Sequence, residues 1–317
     1  MASISMRTAH ELFLDPFERA RLSFGCPVFD EVFDGGLPLH GLSEVCGEAG
    51  SGKTQLCLQL AVSAVLPPSC GGRGGKCCYL TTQGEGAFPV KRLEQLCANA
   101  AAQAPAVDGL TKETLMERVL IRTCGSVEVL FEVIDHDLAQ LMADGQVTCV
   151  IVDSVAGAFR GDEDYEGGPK PLLPGGARPG SSSSSHGRGH GQARSRDLFL
   201  FAAHLRKLSF AHHAPVVVVN QATAQFGGGG GGLPTSTDFS HVHADAQAAF
   251  PDLNVKPALG LSWTTCVNRR LMLIRRPALG GNGSTTAWRR DALLMLSPSA
   301  PFGSIQYSIS ATGVAAV

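Results

Sequence analysis

The sequence predicts an α/β fold: a mostly parallel, twisted sheet flanked by helices, with an antiparallel extension at one edge. Three observations point there. A short apolar run at residues 42–46 enters Gly47-Glu48-Ala49-Gly50-Ser51-Gly52-Lys53-Thr54, and an apolar-rich segment, 55–66, leaves it, so the order is strand, loop, helix. Two further strand-like runs, 77–82 and 119–123, precede a β-branched one, 148–152, that ends in Asp153. Near the C-terminal end, 269–274, 292–296 and 304–309 follow one another as strands with only turns between them, the pattern of an antiparallel edge.

The loop satisfies G-x-x-x-x-G-K-[ST] in full. Its glycines let consecutive backbone N–H groups turn inward around a phosphate chain, and the helix that follows offers its positive dipole end to the same anion. Lys53 is expected to reach the β- and γ-phosphates, and the Thr54 hydroxyl to ligate Mg²⁺. A nucleoside triphosphate is therefore the expected ligand.

Composition removes several classes. Charged residues are only 17% of the 317, apolar residues 44%, and the formal net charge is −2. The basic footprint of a dedicated nucleic-acid binder is absent, so any DNA contact must be local, shared with a partner or weak. Ten cysteines are scattered through apolar segments without paired C-x-x-C or Cys/His spacing, which suits buried free thiols in a reducing compartment. No run of about 18 apolar residues occurs, and residues 1–10 hold no signal-peptide core.

Taken in order, residues 1–21 are a short lead-in, with a brief helix over 9–21 interrupted by Pro16, and 22–317 form one domain. Val28, Phe29, Val32 and Phe33 make the apolar face of a short helix that Gly35-Gly36 ends. After the loop helix, 67–75 is a Pro/Gly-rich linker. The turn Gln83-Gly84-Glu85-Gly86-Ala87-Phe88-Pro89 then sits at the carboxyl end of the 77–82 strand, where ligands of open α/β sheets collect. Glu85 is placed there to orient a water against the γ-phosphate, the alternative being a solvated loop charge. A helix covers 91–103, and another covers 126–142 with Ser126 as its cap.

Four apolar residues followed by Asp153 have the shape of a second Mg²⁺-site element. Two strands between loop and Asp153 suit the ATPase branch whose sheet carries an inserted, glutamate-bearing strand, and no Asn-Lys-x-Asp guanine reader is present. Residues 161–193, acidic then Pro/Gly/Ser-rich, read as a flexible excursion. Helix resumes at 195–210, and the strand 215–219 runs into Asn220-Gln221, whose amide either senses the γ-phosphate or caps a turn. A second excursion, 222–255, includes six glycines at 227–232 and is closed by residues 256–260.

The runs LSFGCPVFDEVFDGGLPLHGLSEVCGEAGSGKTQLCLQL, EGAFPVKRL, CVIVDSVAGAFR, APVVVVNQ, PALGLSW and YSISATGV together resemble the RecA-type recombinase family of eukaryotes over residues 22–313. The resemblance implies a RecA-like P-loop ATPase core, ATP and Mg²⁺ as cofactors, and slow, DNA-dependent hydrolysis in homologous-recombination repair. It implies a nuclear protein, the cytoplasm being the alternative, that assembles with other recombinase paralogues and with the recombinase itself. Single-stranded or branched DNA would then be bound through the complex. Carried over, the phosphate loop is Gly47 to Thr54, the Mg²⁺ carboxylate Asp153, the catalytic glutamate Glu85, the γ-phosphate sensor Gln221 and the arginine near the adenine Arg92. The two excursions take the places of the family's DNA-facing loops.

This chain departs from the pattern in three places. About 20 residues precede the shared stretch, where the family carries a helical N-terminal domain. The turn places Gln83 in the glutamate's position if aligned from its left and Glu85 if aligned from Ala87-Phe88-Pro89. The excursions are rich in Gly and Ser instead of Arg, Lys and aromatics. Phe17-Glu18-Arg19-Ala20 matches the family's Phe-x-x-Ala docking motif or is a plain amphipathic lead-in. Two other readings stay open: an ATP-gated scaffold that scarcely hydrolyses, and an unrelated P-loop phosphotransferase, which would need an acceptor pocket and lid arginines.

Overall fold

The computed structural model describes residues 6–104, 107–159, 186–224, 250, 255–279 and 285–317. The lead-in is two short helices, Ala9–Leu14 and Pro16–Arg19, the first capped by a reciprocal Thr8–Glu11 box and the second by Asp15 with Pro16 at its first turn. Strands β1 (Arg21–Leu22) and β2 (Leu37–Pro38) pair antiparallel around the helix Pro27–Val32. On that helix Phe29 is fully buried, but Val28 is 43% exposed and does not belong to its apolar face.

Strands β3 (Leu42–Gly47), β4 (Lys76–Thr81), β5 (Val119–Thr123), β6 (Val147–Asp153) and β7 (Val216–Ala224) are parallel. To them are added β8 (Val255–Pro257), β9 (Arg269–Leu279), β10 (Thr285–Leu296), β11 (Gly303–Ser310) and β12 (Gly313–Ala316). The sheet order is β12-β11-β10-β9-β3-β7-β6-β4-β5, with β8 pairing β7. The antiparallel edge expected from 269 onward begins one strand later, because β9 runs parallel to β3 and only its partner β10 reverses direction.

In the central strands β3, β4, β6 and β7 side chains alternate across the sheet and are buried on both faces, as crossover-covered parallel strands require. Val217 and Val219 of β7 join Val45, Leu271 and Leu273 under the helix Lys53–Val65. Val216 and Val218 face the opposite layer, with Phe201 of the helix His186–His212, Phe131 and Trp263. Truncating the fully buried Phe201 to Ala would cost about 3–5 kcal/mol. The Lys53–Val65 helix is buried from Leu56 to Val65 and stops at Leu66, ahead of Pro67-Pro68. All ten cysteines are free, and only Cys70 is not buried.

Ser126 caps its helix by accepting from Val129 N at 3.4 Å, and this helical run continues through Ala143 with a wider turn over Val133–Leu138. Three further expectations are corrected. Helix starts at His186, inside the stretch read as an excursion, because extending a helix already nucleated by the Leu198–Phe201 core costs only about 1 kcal/mol per glycine. Strand β7 does not end at Val219 but continues to Ala224, since its last residues find antiparallel partners in Val255–Pro257. The helices Lys112–Met116 and Gly260–Thr264, each only five residues long, lie where no element was expected. Residues 160–185, the run 227–232 and most of the second excursion lie outside the described residues.

Candidate nucleotide site

Strand β3 delivers the phosphate loop at its carboxyl end, between β9 and β7. Gly52 adopts φ +109° at the start of the helix, and a Cβ there would sit 2.6 Å from Ile309 Cδ1. Ile309 of β11 is thus pressed against the loop, and the left-handed backbone at this position is what calls for glycine. Tyr307, also on β11, donates its hydroxyl to the Ser51 carbonyl oxygen. Among the described residues the buried Ser51 hydroxyl has no hydrogen-bond partner, an orphan that suits a loop built around an anion.

Lys53 folds back onto its own loop, donating from Nζ to Gly47 O and Glu48 O, each at 2.8 Å. Burial lowers the pKa of its ammonium, and nearby Asp153 works against that shift. The Thr54 hydroxyl donates to Asp153 Oδ2 at 2.8 Å, and Tyr79 of β4 donates its hydroxyl to the same oxygen at 2.7 Å. Burial holds the Tyr79 pKa well above its ordinary value, so the hydroxyl keeps the proton it donates. Asp153, at the end of β6, is 4% exposed. Hydroxyl and carboxylate oxygens are hard donors, and Mg²⁺ takes few of them from protein, the rest coming from phosphate and water. No cluster of three or more His, Cys, Asp or Glu exists among the described residues, so the donor set fits a phosphate-bound Mg²⁺ better than a protein cage.

Gln221 lies directly opposite Gly47 in the β3–β7 register. Strand alternation puts it on the face that carries the Lys53–Val65 helix, with Val217 and Val219. Beyond β4, Thr82 Oγ1 donates to Ser154 O at 2.9 Å and accepts from Ser154 N at 3.1 Å, fixing the base of the next turn on the end of β6. Gln83 and Glu85 both lie exposed on that turn, and neither hydrogen-bonds Lys53, Thr54 or Asp153. Arg92 is brought to the loop helix, not left in solvent. Its Nε donates to Gln55 Oε1 at 2.7 Å, and its Nη groups donate to Ser310 O at 2.6 Å and Ala311 O at 2.9 Å.

The geometry therefore joins Gly47 to Thr54, Asp153 and Gln221 at the carboxyl ends of the central strands β3, β6 and β7, with Arg92 flanking and Glu85 apart. Tyr79, Tyr307 and Arg275, whose Nη1 would lie 2.7 Å from a Cβ on Gly50, are site neighbours that sequence reasoning missed. Of the lead-in motif, Phe17 stacks on His213 of the same chain, 4.2 Å between ring centroids and 13° between planes. No helix among the described residues is long and apolar enough to cross a membrane.

Comparison with known proteins finds relatives along nearly the whole chain. The family model described as Rad51 matches residues 18–169. The chain is similar to the DNA repair protein XRCC3 of Bos taurus, 32% identical over 94% of this chain and 75% of that protein. It is similar to the DNA repair protein rhp57 of Schizosaccharomyces pombe, at 29% identity over 92% and 78%. It is also similar to the DNA repair protein RAD51 homolog 2 of Mus musculus, at 30% over 98% and 80%.

Proposed function

The chain belongs to the Rad51 family, and on that premise we propose that it is a recombinase paralogue of homologous-recombination DNA repair that binds ATP and Mg²⁺ at residues 47–54. It works in the nucleus, in a heteromer with related paralogues that engages the recombinase and single-stranded or branched DNA. The observation that carries this reading is the Thr54–Asp153 hydrogen bond beside a lysine held in its own glycine loop. On this reading the bond joins the two halves of one Mg²⁺-nucleotide site across 99 residues of sequence.

When nucleotide enters, Lys53 exchanges the Gly47 and Glu48 carbonyls for the β- and γ-phosphates. Thr54 and Asp153 would hold the Mg²⁺, and Tyr79 would keep that carboxylate in place. Mg²⁺ supplies neutralisation of the charge that grows on the phosphate oxygens. Gln221 senses the γ-phosphate, Arg92 flanks the adenine, and Glu85 orients the attacking water.

One observation favours a second reading, an ATP-gated scaffold that hydrolyses little. Glu85 sits on an exposed turn and makes no hydrogen bond with the groups that would flank the γ-phosphate. The net charge of −2 likewise favours DNA binding through the complex over binding by this chain alone.

The test is ATP binding and hydrolysis by the purified chain, with and without single-stranded DNA, alongside identification of co-purifying subunits. Binding abolished by Lys53→Ala, with DNA-stimulated turnover, supports the first reading. Binding with flat turnover selects the scaffold. No ATP binding by the wild-type protein overturns both.

A further inference from the structure

Glu44 lies on β3, three residues before Gly47, and is 1% exposed. An acid so deeply buried needs partners, and it has three. Its Oε1 accepts from Asn220 Nδ2 of β7 at 2.7 Å and from Trp263 Nε1 at 2.8 Å. Its Oε2 accepts from Nε of Arg270 on β9, itself 1% exposed, and Arg270 Nη2 goes on to Thr264 Oγ1 at 3.1 Å.

One carboxylate thus ties the strand that feeds the phosphate loop to both neighbouring strands and to the Gly260–Thr264 helix. Buried ion pairs are poor stabilisers compared with apolar packing of similar volume, so core stability alone does not explain the arrangement. Its direct structural product is the fixing of Asn220. With Nδ2 held by Glu44, Asn220 Oδ1 accepts from the backbone N–H of Gln221 at 2.8 Å. Gln221 is the residue opposite Gly47.

We propose that Glu44 is a positioning residue: through Asn220 it sets the place of Gln221 beside the phosphate loop, and so the site's preference for a nucleotide with a γ-phosphate. The inference rests on the nucleotide-binding reading above. Glu44 hydrogen-bonds Asn220, Trp263 and Arg270, none of them in residues 47–54. It acts from the far face of the sheet.

The test compares the affinities of the full-length protein for ADP and for a non-hydrolysable ATP analogue, both with Mg²⁺. In Glu44→Gln/Arg270→Met the amide oxygen still accepts from Asn220 and Trp263 while the charges leave together, and the preference for the triphosphate is retained. In Glu44→Leu/Arg270→Met the acceptor is gone, and the preference falls about fivefold or more, the scale of one lost hydrogen bond, with ADP affinity little changed. Asn220→Ala, which leaves the ion pair intact, gives the same loss and decides the matter if the Leu/Met variant does not fold. Equal preference in wild type, Gln/Met and Asn220→Ala proteins overturns the inference alone. A wild-type protein that binds neither nucleotide overturns the underlying reading and the inference with it.

Discussion

The Thr54 hydroxyl donates to Asp153 Oδ2 at 2.8 Å across 99 residues of chain: Thr54 stands on the helix that follows β3, Asp153 ends β6, and β7 lies between those two strands. The same carboxylate oxygen also accepts from Tyr79, so its position is fixed from two sides. Asp153→Asn keeps the shape but replaces a charged double acceptor with an amide. Mg²⁺-dependent nucleotide affinity should fall at least about tenfold, since hydrogen bonds and ion contacts to a charged group are worth about 1.5–3 kcal/mol each. Calorimetric titrations with Mg²⁺ and with chelator check this; an unchanged Mg²⁺ dependence would remove Asp153 from the site.

Tyr79→Phe deletes only the hydroxyl, from a residue 1% exposed. The protein should lose about 1.5–3 kcal/mol of unfolding free energy, because a buried carboxylate loses one of its donors. Denaturant unfolding measures it directly, and a change below about 0.5 kcal/mol would show that this bond contributes nothing net.

Gly50 adopts φ +74°, and a Cβ there would lie 2.7 Å from Arg275 Nη1, whose guanidinium stacks 4.1 Å over the Trp288 ring. Gly50→Ala should cost about 1–2 kcal/mol from the left-handed backbone alone. It should also shift the fluorescence of the half-exposed Trp288 as Arg275 gives way. At Gly84 an added Cβ meets nothing within 4 Å, so Gly84→Ala is the matched control.

Burial places the folded-state pKa of Lys53 below its ordinary value of 10.5. The unfolded chain therefore keeps its proton to higher pH than the folded one does. Relative to Lys53→Met, wild-type stability should rise as pH climbs through the depressed folded value toward 10.5. Nucleotide affinity should fall over the same window, as the cation is lost. Paired unfolding and binding titrations of the two proteins test both signs, and parallel curves would contradict them.

Glu85→Gln should leave ATP affinity within about twofold and lower turnover at least about a hundredfold if Glu85 orients the water, the lower end of general-base contributions. Unchanged turnover in a hydrolysing wild type would shift attention to Gln83 on the same exposed turn.

Much of this was legible because its signals are local. Glycine spacing, strand-loop-helix flanks and an apolar run ending in Asp153 each concern a few adjacent residues, and the parallel core followed from them. Tyr79, Tyr307 and Arg275 carried no such signal, since their contacts with the site lie 74 or more residues away. Glu44 did carry one: a lone acid within the otherwise buried run 42–46 demands a buried donor. Reading that run simply as apolar passed over it. Elements of two to five residues, such as β1, β8 and the Gly260–Thr264 helix, are too short for a periodic pattern and are set by their tertiary neighbours.

The phosphate loop is finished by chain made long after it. Tyr307 holds the Ser51 carbonyl, Ile309 presses on Gly52, and Arg92 reaches its loop-side position by donating to Ser310 and Ala311. From the loop helix, the amide of Gln59 brackets Val314, accepting from its N–H at 2.6 Å and donating to its carbonyl at 3.0 Å. A nascent chain paused on the ribosome before residue 303 carries every residue of the G-x-x-x-x-G-K-T motif and none of these braces. Competence to bind nucleotide should therefore arise late in synthesis and abruptly, as β11 and β12 emerge, so that an incompletely translated chain is kept from trapping nucleotide.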